Sequence, residues 1–187
     1  MEELTFKFGA MGSSKSAEAL ILRHKYEEKG RKPLLIKPSI DNRDGAGIVK
    51  SRVGIEHDAI IIDDSIDILE LVKEGNYDIV IADEVQFFSK KIILQLRKVV
   101  DILNIKVTCY GLRSDFQSNL FEGSYWLFVY ADKVEVIDTI CHCGKPAIIN
   151  MRLDNGKPVY TGKQVKLGAD ESYVAVCTEH WLKGECK

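Results

Sequence analysis

Residues 4–16 read LTFKFGAMGSSKS, and this stretch decides the fold. The apolar run Leu4–Phe8 predicts a short strand, and residues 9–16 follow the phosphate-binding pattern G-x-x-x-x-G-K-[ST]. In such a loop, backbone N–H groups between a strand and a helix point at phosphate oxygens. One position departs from the pattern: Ser14 stands where glycine is usual, and a positive φ there would cost a serine about 1–2 kcal/mol. The alternative interpretation is a strand-to-helix turn that contains a lysine by chance.

The loop supplies the candidate phosphate contacts. They are Gly9, Ala10, Met11, Gly12, Ser13, Ser14, Lys15 and Ser16. In this motif the lysine reaches the β- and γ-phosphates, and the hydroxyl that follows it contacts Mg²⁺. The sequence therefore predicts a phosphate-binding site with Mg²⁺.

Strands and helices alternate outward from this loop. Predicted strands cover 4–8, 33–37, 59–62, 77–82, 105–110 and 134–137, and predicted helices cover 16–29, 66–73, 89–103 and 122–130. The polar stretch 39–51 has no period and predicts a long flexible loop. The alternation predicts an α/β fold with a parallel sheet flanked by helices. It stops near Thr139, so we expect a nucleotide-binding domain of residues 1–138 and a small second domain of residues 139–187.

An acidic pair, Asp83 and Glu84, directly follows the clearest buried strand, YDIVIA. Ligands sit outside the carboxyl ends of parallel strands, and the phosphate loop also follows a strand, so both features belong to one edge of the sheet. An aspartate there can orient Mg²⁺, and a neighbouring glutamate can take the proton of an attacking hydroxyl. Two solvated carboxylates are the alternative, but the phosphate loop on the same edge favours a functional pair.

Four metal-ligand candidates lie in the last third of the chain. The sequence CHCG at 141–144 is followed after a long gap by CTEH at 177–180. Two short ligand pairs at this separation predict a structural zinc site. Its ligands would be Cys141, Cys143, Cys177 and His180, with His142 or Cys186 as possible substitutes for one of them. Buried free cysteines are the alternative, and the odd cysteine count argues against a disulfide framework.

The composition of the chain indicates which classes of partner to expect. The 26 Lys and Arg residues are balanced by 28 Asp and Glu residues, and no basic stripe with interleaved aromatic residues is present. We therefore expect no nucleic-acid partner. No apolar run reaches membrane-spanning length, and the N-terminal residues lack the pattern of a secretion signal, so we expect a cytoplasmic protein without a membrane partner.

The order and spacing of these elements resemble the zinc-containing (type II) thymidine kinases from Leu4 to Trp181. Besides residues 9–16, the matching stretches are IDNRDGAG (40–47), SRVG (51–54), DEVQFF (83–88), YGLRSDFQ (110–117), CHCG (141–144) and QVKLGADESYVAVCTEH (164–180). The resemblance implies a P-loop (RecA-like) domain followed by a zinc-ribbon domain with a lasso-like loop. It also implies ATP-dependent phosphorylation of the 5′-hydroxyl of thymidine to thymidine monophosphate in nucleotide salvage. The implied assembly is a homotetramer that thymidine triphosphate inhibits.

The same resemblance implies roles for individual residues. Glu84 matches the catalytic base. The ATP phosphates would be contacted by the loop and also by Arg43, Asp83 and Gln86. The magnesium ion would be contacted by Ser16, Asp41 and Asp83. The nucleoside pocket would comprise Met11, Phe87, Leu112, Phe116, Phe121 and Tyr173, with Val165, Leu167, Gly168 and Ala169 from the lasso-like loop. Cys141, Cys143, Cys177 and His180 match the zinc ligands.

Three positions depart from the pattern of that family. Ser14 replaces the glycine before the loop lysine, which leaves open a catalytically impaired paralogue that binds nucleoside or nucleotide. Ala169 replaces the second glycine of the lasso-like loop, and Asn150 stands where many members have threonine near the base methyl group. These two leave open a preference for a base other than thymine. A P-loop ATPase stimulated by nucleic acid is a further alternative, which the lack of a basic stripe disfavours.

Overall fold

The computed structural model describes residues 1–41, 45, 47–164 and 172–186. Its strands are β1 Leu4–Phe8, β2 Pro33–Pro38, β3 Ile48–Lys50, β4 Glu56–Asp58, β5 Ile60–Ile62, β6 Ile79–Ala82, β7 Lys106–Gly111, β8 Lys133–Val136, β9 Ile149–Asp154, β10 Lys157–Val159 and β11 Tyr173–Val176. Its helices are α1 Lys15–Glu27, α2 Ile68–Gly75, α3 Lys90–Leu103, α4 Glu122–Tyr130 and α5 Thr178–Lys183. Of these described helices, none combines the length and the apolar character needed to cross a membrane.

A six-stranded parallel sheet forms the main part of the molecule, with strand order β5-β2-β6-β7-β1-β8. In its centre Leu4 of β1 is opposite Val107 of β7, and Val80 of β6 is opposite the same residue from the other side. The predicted parallel α/β sheet is therefore confirmed. Since β1 and β6 both flank β7, the segments that follow them emerge about 10 Å apart at one edge of the sheet.

Helices cover both faces of this sheet because its strands are apolar on both faces. On one face α2, α3 and α4 pack against alternate strand residues, and on the other face α1 packs Ala19 and Leu20 against Ile79 and Ile81. The buried residues of α3 recur at helical spacing and are Ile92, Ile93, Leu96, Val99 and Val100. Each such side chain stabilises the fold by roughly 1.5–3 kcal/mol. This two-sided packing holds the edge that carries the loop and the acidic pair.

The segment after β2 is where the sequence-based prediction was partly wrong. Residues 48–50 fall in the stretch predicted as a flexible loop, but they form β3, which pairs antiparallel with β4. Three-residue strands are too short to show a period, and tertiary contacts hold them in place. Val49 is buried, and the ammonium group of Lys37 donates a 2.8 Å hydrogen bond to the Ile48 carbonyl.

The C-terminal lobe, defined here as residues 139–164 and 172–186, contains a three-stranded antiparallel sheet of order β10-β9-β11. The strand β9 is central, with Met151 opposite Val174 of β11. A small core of Cys141, Ala147, Met151, Val176 and Cys177 lies beneath it. The fold class predicted for this region, a small unit with a cluster of Cys and His residues, is confirmed, and the domain boundary near residue 139 stays a prediction.

Candidate active site and metal cluster

The loop between β1 and α1 wraps around its own lysine. The Lys15 ammonium group is buried and donates hydrogen bonds to the carbonyls of Ala10 at 2.8 Å and Gly9 at 3.2 Å, and to Ser13 Oγ at 3.2 Å. Gly9 has no room for a side chain, because a Cβ there would lie 2.4 Å from the Ile137 carbonyl oxygen. The loop thus places a positive charge at the start of α1, where the helix N-terminus already favours anions.

Ser14 adopts the left-handed conformation that the sequence pattern assigns to glycine. Its φ is 62° and its ψ is 22°, and its side chain makes no hydrogen bond that caps α1. The side chain is also exposed, so no packing offsets the backbone strain. The departure from the motif therefore keeps the shape of the loop at a cost in stability.

Replacing Ser14 by glycine is expected to raise the free energy of unfolding by about 1 kcal/mol, because glycine adopts positive φ without steric strain. Urea denaturation of the two proteins measures the difference. The matched control is Ser14→Ala, which removes the hydroxyl but keeps the strain and should leave the midpoint unchanged. A glycine variant no more stable than the alanine variant would show that the strain is absent.

Asp83 is buried at the carboxyl end of β6, and burial followed by the nearby charge of Glu84 raises its pKa to about 7. The Ser16 hydroxyl opposes this rise by a hydrogen bond to the carboxylate. Among the described residues, nothing forms a hydrogen bond with Asp83 Oδ1. A buried carboxylate oxygen with no partner among the described residues, beside the Ser16 hydroxyl, fits the oxygen ligands that Mg²⁺ prefers.

Asp83→Asn is expected to flatten the pH dependence of stability in the protein without nucleotide. The pKa of Asp83 is about 7 in the native state and has its ordinary value of 3.8 in the unfolded chain. Between pH 3.8 and about pH 7, the native carboxyl group therefore keeps a proton that the unfolded chain releases. The free energy of unfolding contributed by this group therefore falls as the pH rises through this window, by up to about 1.4 kcal/mol per pH unit. Urea denaturation of both proteins from about pH 5.5 to pH 7.5 tests this, and parallel profiles would contradict it.

Glu84 also has a left-handed backbone, with φ 52° and ψ 35°. Its side chain is half-buried, and Gln86 Nε2 donates a hydrogen bond to Oε2 of its carboxylate. The oxygen of the same Gln86 amide accepts a 2.9 Å hydrogen bond from the Leu112 N–H. Strained backbone of this kind persists where the surroundings over-determine it, and it concentrates at active sites. Gln86 thereby connects the glutamate to the carboxyl end of β7.

The phosphate loop and the acidic pair Asp83 and Glu84 border one cavity of about 410 Å³. Of the residues predicted from the sequence, it is lined by Met11, Gly12, Ser14, Lys15, Ser16, Asp41, Asp83, Glu84, Gln86, Phe87, Leu112, Phe116, Phe121 and Tyr173. Gly9, Ala10 and Ser13 lie in the loop without lining it. Arg43, Val165, Leu167, Gly168 and Ala169 lie outside the described residues, so their predicted roles stay predictions. Lys15 and Glu84 therefore face one common space.

The residues that line the cavity form two groups of different chemistry. Lys15, Ser16 and Asp83 belong to the first, called here the phosphate end. Phe87 and Phe121, whose rings meet edge to face at 5.7 Å, belong to the second, called here the aromatic end. Apolar walls with a few oriented polar groups suit a planar base. The first group suits phosphate oxygens, and the second suits a planar base.

The sequence reasoning named Asp41 and Asn150 but missed a contact that each of them makes. Lys37 and Asp41 form an almost completely buried ion pair at 3.0 Å, and Asp41 lines the cavity. A lysine inside the apolar strand PLLIKP signals such a partner, because a buried charge needs one. The amide oxygen of Asn150 accepts a 2.7 Å hydrogen bond from the Met11 N–H and so joins the C-terminal lobe to the phosphate loop. No local pattern in the sequence predicts that contact.

The C-terminal lobe gathers the predicted metal ligands. Ligand atoms of Cys141, Cys143, Cys177 and His180 all lie within 4.8 Å of one another. Cys143 Sγ is 3.9 Å from Cys177 Sγ, and Cys141 Sγ is 3.2 Å from His180 Nδ1. These separations fit a tetrahedral ion with Zn–S bonds of about 2.3 Å. The cluster is therefore one that could bind a metal ion.

The electrostatics of the cluster favour a metal ligand at Cys141. Burial alone would raise the pKa of its thiol, but hydrogen bonds from the backbone N–H groups of Cys143 and Cys177, and from His180, lower it to about 6. A thiolate is the form that binds metal. Of the possible substitutes, His142 stacks on the His180 ring at 4.2 Å, and Cys186 Sγ lies 3.9 Å from the Gly156 carbonyl oxygen. Neither belongs to the described cluster.

A parallel sheet with a phosphate loop and an acidic strand end around one cavity, joined to a lobe with a Cys₃His cluster, defines a P-loop nucleotide-binding enzyme. The family model described as thymidine kinase matches residues 2–181. This chain belongs to the thymidine kinase family.

Several curated thymidine kinases are similar to this chain over nearly its whole length. The thymidine kinase of Lactobacillus acidophilus is 46% identical, and the match covers 97% of each chain. That of Lactiplantibacillus plantarum is 45% identical over 97% of this chain and 96% of its own. The Streptococcus pyogenes thymidine kinase is 44% identical over 99% of this chain and 100% of its own. A solved structure of Bacteroides Pif1 bound to ssDNA covers 73% of this chain and 38% of its own with a TM-score of 0.42 and 14% identity, a likeness too low to carry an argument.

Proposed function

We propose that the protein transfers the γ-phosphoryl group of ATP to the 5′-hydroxyl of thymidine, which yields thymidine monophosphate and ADP. One observation supports this most directly: Lys15 and Glu84 line the same cavity, together with the aromatic side chains of Phe87, Phe116 and Phe121. A direct in-line transfer needs its acceptor and donor groups side by side in a space that excludes water.

At the phosphate end, Lys15 and the backbone N–H groups of residues 9–16 hold the triphosphate. Ser16, Asp83 and Asp41 would hold Mg²⁺, which when bound offsets the charge of the phosphate oxygens. Asp83 Oδ1, which has no hydrogen-bond partner among the residues that the structure describes, supports this assignment. We assign Arg43 to the transferring phosphoryl group on the resemblance alone.

At the junction of the two ends, Glu84 accepts the proton of the 5′-hydroxyl as that oxygen attacks the γ-phosphorus. The hydrogen bond from Gln86 and the left-handed backbone aim its carboxylate. Proton removal by a positioned base contributes about 10²–10⁴-fold to such reactions.

The base occupies the aromatic end. Met11, Phe87, Leu112, Phe116, Phe121 and Tyr173 form its walls, and residues 165–169 read the pyrimidine edge in the proposal carried over from the resemblance. A zinc ion held by the Cys₃His cluster would fix the lobe that carries Tyr173, since a site without an open position is structural. From the same resemblance we propose a homotetramer that acts in the cytoplasm and is inhibited by thymidine triphosphate.

The experiment that tests this function is incubation with ATP, Mg²⁺ and each deoxynucleoside in turn, with the monophosphate product measured directly. Thymidine should give the most product. Binding of thymidine without product would instead indicate an impaired paralogue, and a better substrate with another base would correct the specificity. ATP hydrolysis stimulated by DNA, with no nucleoside phosphorylated, would overturn the proposal.

A further inference from the structure

Arg152 lies on β9, the central strand of the C-terminal lobe, and its side chain is buried. Its guanidinium donates hydrogen bonds from Nε to the Tyr173 hydroxyl at 2.7 Å, from Nη1 to the Lys163 carbonyl at 2.8 Å and from Nη2 to the Gln164 carbonyl at 3.1 Å. In the part of the chain that the structure describes, these acceptors are all neutral oxygens. One side chain thus connects β11 with the segment that follows β10.

The flat face of the same guanidinium contacts aromatic rings. Its central carbon is 3.7 Å from the ring centroid of Phe116 and 5.2 Å from that of Tyr173. Phe116 lies between β7 and α4, outside the C-terminal lobe, and its carbonyl also accepts a 3.1 Å hydrogen bond from the Trp181 indole. Arg152 therefore joins the lobe to the wall that the main sheet contributes to the cavity.

Three partners of Arg152 line the cavity, and Arg152 itself does not. These partners are Phe116, Gln164 and Tyr173. The Gln164 amide extends the network, because it donates a 3.0 Å hydrogen bond to the buried carboxylate of Asp115. An arginine suits this position because its planar fork donates in several fixed directions while its face stacks on a ring, which the point charge of a lysine cannot do.

We propose that Arg152 is a positioning residue for the nucleoside. It holds Phe116 and Tyr173 at a fixed separation across the aromatic end of the cavity, and so it sets the KM for thymidine while its contacts leave the phosphate loop untouched. This inference rests on the proposed function, since it assigns thymidine to that end.

Steady-state kinetics of Arg152→Met and Arg152→Lys test the proposal. The methionine variant should raise the KM for thymidine by about ten- to hundredfold, since hydrogen bonds to a charged group are lost. The KM for ATP should stay within about twofold, and kcat should fall less than the thymidine KM rises. The lysine variant should be intermediate, because it keeps the charge and loses the fork. Arg31→Met, at an exposed arginine paired with Asp78, is the matched control and should change neither KM.

A double-mutant cycle with Tyr173→Phe tests whether Arg152 acts through its partner. Removing the Tyr173 hydroxyl alone should raise the KM for thymidine by about fivefold in the wild-type background, and should have little further effect in the Arg152→Met background. If Arg152→Met does not fold, the thymidine KM of the Tyr173→Phe variant still tests whether the hydrogen bond between Arg152 and Tyr173 matters.

An unchanged thymidine KM in the folded variants, or an equal rise in the KM for both substrates, would overturn the inference and leave the proposed function standing. A wild-type protein that forms no thymidine monophosphate would overturn both.

Discussion

Glu84→Gln is expected to lower kcat for thymidine at least about hundredfold, because an amide cannot accept the proton of the 5′-hydroxyl. Glutamine has the same size and retains hydrogen-bonding capacity toward Gln86, so the aromatic walls keep their positions. The KM for thymidine should therefore change by less than about threefold, since the lost interaction belongs to the transition state. Steady-state kinetics with direct detection of the monophosphate measure both quantities.

The matched control is Glu70→Gln, at an exposed position on α2 that does not line the cavity, and this variant should keep full activity. If Glu84→Gln is as active as this control, Glu84 is not the base. If Glu84→Gln instead loses thymidine binding with kcat unchanged, the carboxylate contributes to binding alone.

Under the proposed zinc assignment, removal of the metal from the Cys₃His cluster is expected to abolish activity and to unfold the C-terminal lobe. The cluster joins the turn at residues 141–144 to the start of α5, where Cys177 follows β11 directly. Structural zinc contributes about 10–16 kcal/mol in small peptides, which equals or exceeds the 5–15 kcal/mol that stabilises a typical domain. Asn150 and Tyr173, which border the cavity, would lose their positions with it.

Cys177→Ser tests this expectation, with metal content, activity and tryptophan fluorescence as readouts. The chain has two tryptophans: Trp181 on α5 beside the cluster and Trp126 on α4 against the main sheet. Only the Trp181 signal should shift to that of an exposed indole. Cys186→Ser is the control, because its sulfur lies outside the cluster, and it should keep the metal and the activity. A Cys177→Ser protein that retains both would contradict the structural role.

The fold of the main sheet was predictable because its strands and helices are long enough to show their periods. The strand β6 is buried on both faces and α3 presents one apolar face, so each follows from a local pattern. The ribbon of β3 and β4 was not predictable, since its position depends on the Lys37 ammonium group in a neighbouring strand and on the burial of Val49.

The candidate site likewise contains some features that the sequence predicts and others that it does not. That Lys15, Asp83 and Glu84 share an edge follows from parallel strands, whose carboxyl ends meet there. The left-handed backbone of Ser14 follows from the glycine of the motif. In contrast, Arg152 reaches Phe116 across 36 positions of sequence, and nothing local to either residue indicates the contact.

The metal cluster falls between these cases. The spacing of CHCG and CTEH predicted four ligands, and the structure gathers those four. Spacing alone left His142 and Cys186 open as substitutes, because ligand choice depends on which way each side chain points once the turn has formed.

A crystal structure of the protein with thymidine, Mg²⁺ and a non-hydrolysable ATP analogue tests the central claim most directly. We expect the thymidine 5′-oxygen within about 2.6–3.2 Å of the Glu84 carboxylate, with the γ-phosphate between it and Lys15. A nucleoside bound with its 5′-oxygen turned away from Glu84, or a triphosphate bound away from residues 9–16, would contradict that claim.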